Sequence, residues 1–254
     1  MNTNAIPLSN EFIAKIVQCV EDAVGDDIRA DIRRNDLQTR NSVPFRIWDL
    51  LNTNIIRSLD TKECTIAKPH RGPWEMLIVF EKTSQYIFTF MREKRFAELQ
   101  RRQRQRGRMH YIDMLSSQFN KDLLADQQQL SFMPHRFSDE ERLAELVQSL
   151  LNDLDSDADV VRHHVLVLFD TVGYQLTHIR AVMLTPSLDI AKGSEQDWSR
   201  YIRGDESAIV EEVDDPKAPE NQPNRGLSLT AKAIARKKDK PQRKSGRIST
   251  QGAG

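Results

Sequence analysis

The sequence predicts an α+β domain of residues 1–204, followed by a tail of residues 205–254. Three observations carry this prediction. Apolar residues recur at helical spacing near the start and in the middle of the chain, two pairs of strand-like runs flank the central helical block, and the composition changes near Gly204. We expect the strand pairs to be two β-hairpins that form a small sheet, packed with the N-terminal and central helices.

Two helices are predicted in the first fifty-nine residues. The first begins at Ser9 or Asn10, either of which can cap it, and places an apolar residue at every third or fourth position. The second spans residues 42–59 and has Pro44 in its first turn. The stripe that we expect this helix to bury consists of Phe45, Trp48, Leu51, Ile55 and Leu59.

The strand signals come in two groups. The runs "CTIAKPHRGPWEMLIVFEK" and "SQYIFTFM" are rich in β-branched and aromatic residues, and the polar residues 82–85 between them suit a hairpin turn. Residues 76–80 form a continuous apolar run, so we expect a strand there that is covered on both faces and central in the sheet. The second group is "HHVLVLFDTVGYQLTHIRAVML", with residues 170–173 as the connection.

The central block predicts helices whose apolar stripe is interrupted. Phe96 and Leu99 begin an apolar stripe that then stops, because residues 100–106 contain no apolar side chain. The stripe resumes after Gly107, so two separate helices and one helix kinked at that glycine are both compatible with the pattern. Further on, "FSDEERLAELVQSLLNDL" combines a capping box with one clean apolar face and predicts a helix.

The tail has a two-part charge pattern. Residues 205–220 carry seven acidic side chains against one basic, and residues 225–247 carry nine basic side chains against one acidic. Such a composition cannot bury a core. We therefore expect a disordered, acidic-then-basic tail.

The overall composition excludes few functions. The 254 residues carry 37 basic and 37 acidic side chains, so any argument about a charged partner depends on local distribution. Two cysteines are too few for a disulfide framework, and no secretion signal or membrane-length apolar run is visible. We expect a cytoplasmic protein without membrane contact, and the sequence leaves its oligomeric state open.

The stretch "FMREKRFAELQRRQRQRGRMHYIDML" is the strongest local charge signal. Between residues 92 and 108 it has eight basic side chains against two acidic ones. This stretch and the charged tail together predict a binding or regulatory protein that contacts nucleic acid, another polyanion or an acidic protein partner. A solvated helix end is the alternative interpretation. The candidate nucleic-acid-binding residues are Arg92, Lys94, Arg95, Arg101, Arg102, Arg104, Arg106 and Arg108.

A metal-dependent, nuclease-like phosphodiesterase is the competing hypothesis. Glu75, Glu81 and Asp170 lie within or at the ends of predicted strands, and clustered carboxylates can hold a catalytic metal. Lys82 directly follows Glu81, however, so the two side chains point to opposite faces of a strand. No histidine or cysteine has metal-ligand spacing, and no phosphate loop or dinucleotide motif occurs, so we expect no cofactor and leave the question of an enzyme open.

The succession of "PHRGPWEMLIVFE", "FMREKRF" and "MHYIDML" resembles an uncharacterised bacterial family of domains of unknown function, over roughly residues 40–200. The resemblance implies a bacterial, cytoplasmic α+β domain and no particular chemistry. It also suggests where side chains converge, either as a site or as internal ion pairs. That convergent set is Arg92, Glu93, Lys94, Arg95, His110, Tyr111 and Asp113.

Overall fold

A computed structural model describes residues 5–71, 74–102, 109–124 and 140–203. The predicted tail, residues 205–254, lies outside these ranges, and so does Ser138 of the predicted capping box. Within the described ranges no helix has both the length and the apolar character needed to cross a membrane.

A six-stranded sheet forms the centre of the fold, and the predicted α+β class is confirmed. The strands are β1 (Cys64–Ala67), β2 (His70–Arg71), β3 (Trp74–Glu75), β4 (Ile78–Glu81), β5 (Tyr86–Arg92), β6 (His163–Val172), β7 (Gln175–Met183) and β8 (Gln196–Asp197). Their order in the sheet is β1-β4-β5-β6-β7-β8, while β2 and β3 pair with each other. Neighbours are antiparallel except β5 and β6, which run parallel.

Both predicted hairpins are present, but the second turn is shorter than the predicted residues 170–173, because residues 170–172 still pair with β7. The chain turns at residues 82–85 between β4 and β5, and at residues 173–174 between β6 and β7. Parallel pairing of β5 with β6 joins the two hairpins into one sheet. Strands β4 and β5 and most of β6 are buried on both faces, as the continuous apolar run at residues 76–80 predicts for β4, whereas the first part of β7 alternates between buried and more exposed residues.

The first strand-like run is longer than one strand, and it folds back on itself. Cys64 lies opposite Glu81 and His70 lies opposite Glu75, so β1–β4 and β2–β3 share one register. The amide of Met76 donates to the carbonyl of Pro69 at 3.1 Å and links the two parts. The run is therefore one long hairpin, whose outer part leaves the main sheet as β2 and β3.

Three helices cover one face of the sheet: α1 (Asn10–Val24), α2 (Asp26–Arg34) and α3 (Val43–Ser58). The Ser9 hydroxyl accepts a hydrogen bond from the amide of Phe12, so the predicted cap is confirmed. Phe45 departs from its predicted buried stripe. Half of its surface is exposed, and its ring stacks on Trp74 at 5.0 Å between centroids.

The opposite face is covered by the central helices α4 (Glu93–Arg102), α5 (Tyr111–Phe119) and α6 (Glu140–Leu151), and by a 3-10 helix over Asn152–Val160. The backbone of His110 is extended and caps α5, so a new helix starts there. Of the two arrangements left open by the sequence, separate helices are therefore correct. The sheet thus has a helical layer on each face, with one apolar cluster under each layer.

Candidate nucleic-acid interface

Helix α4 follows β5 directly, and both of its ends are attached to the rest of the fold. Its apolar residues Phe96 and Leu99 are buried in the cluster beneath the central helices. Glu93 in its first turn bonds to Arg180 of β7, and near its end the side-chain amide of Gln100 donates to the carbonyl of Leu188 at 2.8 Å. The direction in which its polar residues point is therefore fixed by packing.

The outward side of α4 is strongly basic. Lys94, Arg95, Arg101 and Arg102 are all exposed, and they form two rows because residues seven apart lie nearly above one another on a helix. The single carboxylate among them is Glu98. We call these five residues the α4 face, which has four cations against one anion.

Glu98 bonds to one row of the α4 face. Arg95 Nη1 donates to Glu98 Oε2 at 2.6 Å, and Arg102 Nη1 lies 3.2 Å from Glu98 Oε1. The hydrogen bond from Arg95 is the main reason that the pKa of Glu98 is lowered from its ordinary value. Lys94 and Arg101, in contrast, form no ion pair with any residue in the described ranges.

Arg92 does not join the other predicted residues. Its side chain lies on the opposite face of the sheet, where Nη1 donates to Thr171 Oγ1 at 3.1 Å and the guanidinium lies 5.7 Å from the centre of the Phe169 ring. Burial lowers the pKa of Arg92. The sheet thus separates Arg92 from the α4 face.

The remaining predicted residues, Arg104, Arg106 and Arg108, lie outside the described residues.

The three carboxylates of the competing hypothesis do not form one metal site. Register places Glu81 beside Tyr86, and Tyr86 beside His163 at the start of β6. Asp170 lies seven residues further along β6, which at about 3.3 Å per residue is more than 20 Å away. Liganding oxygens must lie within about 2.0 to 2.6 Å of one ion.

The carboxylate of Glu81 has a structural role instead. It accepts hydrogen bonds from the amides of Thr83 and Ser84, at 3.0 and 2.7 Å, and so holds the turn between β4 and β5. Glu75 faces His70 across the outer hairpin at 3.6 Å. In the described part of the chain, no three histidine, cysteine or acidic side chains are grouped as metal ligands would be.

An ion-pair cluster lies where β5 ends and α4 begins. Arg180 of β7 donates to both carboxylate oxygens of Glu93, at 2.6 and 3.0 Å, and to Glu195 at 2.6 Å. These bonds raise the pKa of Arg180 above its ordinary value. His178 Nδ1 lies 3.8 Å from Glu93 Oε1. Glu93 belongs to the convergent set predicted from the sequence, but Arg180 does not, because only strand pairing brings β7 to this place.

His110 and Asp113 of the convergent set have local contacts. The amide of His110 donates to Asp113 Oδ2 at 2.8 Å, and the His110 ring accepts from the amide of Ile112, which together begin α5. These contacts favour a structural role for His110 and Asp113 over a role in a functional site.

The two cysteines are unsuited to nucleophilic chemistry. Both are buried, and burial raises the pKa of Cys64 to about 12 and that of Cys19 above its ordinary value. A thiol reacts as the thiolate, so neither side chain is activated near neutral pH.

The comparisons identify a family but no activity. The model of a family of unknown function (DUF5986) matches residues 5–248 of the chain. The match contains the segment over which the sequence resembles an uncharacterised family and extends beyond it at both ends. No curated protein and no solved structure matches the chain.

Proposed function

The chain belongs to this family of unknown function, which supplies no activity, and we propose that the protein binds nucleic acid through the α4 face. On this proposal, the protein is a bacterial, cytoplasmic binding or regulatory protein.

The observation that supports it best is the concentration of cations on an anchored helix. Four exposed basic side chains share one side of α4, and the ends of the helix are held by Arg180 and Leu188. An arginine fork suits phosphate oxygens, and a fixed helix presents several forks to one phosphate backbone at little cost in entropy. In sequence, Arg104, Arg106 and Arg108 follow directly and extend the basic stretch.

The composition of the α4 face favours contact with phosphates over contact with bases. Three arginines, one lysine and one glutamate make up the face, and no aromatic residue is present to stack on a base. Binding through such a surface should be largely independent of sequence and strongly dependent on salt.

The test replaces the two cations of the α4 face that have no ion pair among the described residues. We expect Lys94→Gln combined with Arg101→Gln to weaken binding to a duplex DNA and to flatten the slope of log K against log salt by about 1.8, since each phosphate contact contributes about 0.9. Fluorescence anisotropy across a salt series measures both quantities. Folding should be unchanged, because both side chains are exposed.

The matched control is Arg57→Gln combined with Lys62→Gln. These two residues are also exposed, but they lie in α3 and in the turn that follows it. Their replacement removes the same net charge as the α4 double variant. The control should keep the wild-type slope. If both double variants behave alike, or if the wild-type chain binds neither DNA nor RNA at low salt, the proposal is wrong.

A further inference from the structure

We infer that Glu98 is an internal competitor for the nucleic acid, so that phosphates first contact Lys94 and Arg101, and reach Arg95 and Arg102 only by displacing the Glu98 carboxylate. This inference rests on the proposed function, and it assigns different roles to the two rows of the α4 face.

The contacts of Glu98 resemble those that a phosphate would make. Two guanidinium groups converge on one carboxylate from the preceding and the following turn of α4, each approaching a different oxygen. Guanidinium groups bind carboxylate and phosphate oxygens with the same fork geometry. Arg95 and Arg102 are therefore already oriented toward an anion. The Glu98 carboxylate occupies the position that a phosphate would take.

The competition must be weak enough to be reversed. Glu98, Arg95 and Arg102 are 30%, 52% and 60% exposed at their side chains, and ion pairs of such exposure contribute little in water. A phosphate backbone already held by Lys94 and Arg101 can thus replace the carboxylate. Glu98 lowers the affinity without abolishing binding.

The row formed by Lys94 and Arg101 is available for initial binding. Lys94 and Arg101 are seven residues apart, so they lie about 10.5 Å from each other along the helix axis. Neither has to break an ion pair with a described residue before it contacts a phosphate.

The decisive variant is Glu98→Gln, which removes the charge and keeps the size of the side chain. We expect it to bind duplex DNA about three- to tenfold more tightly at low salt, because two exposed ion pairs no longer compete. The salt slope should also steepen by up to about 1.8, since Arg95 and Arg102 then contact phosphates without competition from the carboxylate. Both quantities come from the anisotropy titration used for the α4 face.

Glu11→Gln is the control. Glu11 is also an exposed helical carboxylate, paired with Lys15 at 3.0 Å, but it lies in α1 on the other face of the sheet. Glu11→Gln changes the net charge by the same amount as Glu98→Gln and should leave the salt slope at the wild-type value.

A second comparison tests whether Glu98 acts through the two arginines. Arg95→Gln combined with Arg102→Gln should weaken binding several-fold more in the Glu98→Gln background than in the wild type, where the carboxylate already occupies both groups. Equal losses in the two backgrounds would overturn the inference.

The outcomes separate this inference from the proposed function. If Lys94→Gln with Arg101→Gln weakens binding, but Glu98→Gln behaves like Glu11→Gln, the α4 face binds nucleic acid and the competitor role is wrong. If the Lys94 and Arg101 variant behaves like its own control, the proposed function fails, and this inference fails with it.

Discussion

At the scale of single residues, His164 is a titratable side chain placed within the described core. It is fully buried at the start of β6, and its Nε2 lies 2.8 Å from Thr89 Oγ1. The Asn120 side chain accepts a hydrogen bond from the backbone amide of His164 and donates one to its carbonyl, which connects the end of α5 to the sheet. Burial lowers the pKa of His164 to about 3.

This depressed pKa predicts that stability falls in mild acid. Above pH 6.5 the histidine is neutral in both the folded and the unfolded chain, so it causes no pH dependence. Between pH 6.5 and 3 the unfolded chain binds a proton that the folded chain excludes, and stability decreases as the pH falls. At pH 5 the loss should be roughly 2 kcal/mol relative to neutral pH. Urea unfolding at pH 7 and pH 5 measures it.

The neighbouring histidine provides the control. His163 is partly buried, with Nδ1 3.2 Å from the carbonyl of Phe119. We expect His164→Gln to remove most of this contribution and His163→Gln to keep it, whatever each change does to absolute stability. An unchanged difference between pH 7 and pH 5 in a folded His164→Gln variant would contradict the assignment.

At the scale of elements, the Arg180 cluster holds the start of α4 against β7. Arg180 is only 18% exposed at its side chain and binds two carboxylates. Arg180→Gln should therefore lower the free energy of unfolding by about 2 to 3 kcal/mol, because it leaves the partly buried Glu93 without its cation. Chemical denaturation measures this loss. Arg95→Gln removes an exposed ion pair of the same helix and should lower the free energy of unfolding much less. Equal losses in the two variants would argue against a stabilising role of the Arg180 cluster.

Local signals were sufficient to predict most of the elements. The Ser9 cap and the turn at residues 82–85 depend on neighbouring residues only, and both were predicted correctly. Helix α2 was missed because it buries a single described apolar residue, Ile28, and so lacks a hydrophobic stripe. The parallel pairing of β5 with β6 joins distant segments, and no local pattern encodes it.

The candidate interface was predictable in part. Charge density alone identified four residues of the α4 face. The separate position of Arg92 follows from strand alternation, since it continues the face of Phe88 and Phe90. The pairing of Glu98 with Arg95 and Arg102 follows from helical spacing, but only after the helix has been placed.

At the scale of the whole molecule, every described member of the two apolar clusters lies between Ile6 and Ile202, and the composition of residues 205–254 cannot bury a core. A chain that ends at Arg203 should therefore fold with nearly the free energy of unfolding of the full chain. Urea denaturation of the two chains measures the difference. A shortened chain that does not fold would show that residues beyond 203 are needed for the core.

The parallel alignment of β5 and β6 has a kinetic consequence. Tyr86 must meet His163, and every residue of α4, α5 and α6 lies between these positions in the chain. Closing so long a loop costs entropy before any favourable contact between the strands forms, and proteins rich in distant contacts fold slowly. During that delay, the β4–β5 hairpin exposes apolar side chains and an unpaired strand edge. We therefore expect a nascent chain that has not yet reached β6 to be prone to aggregation.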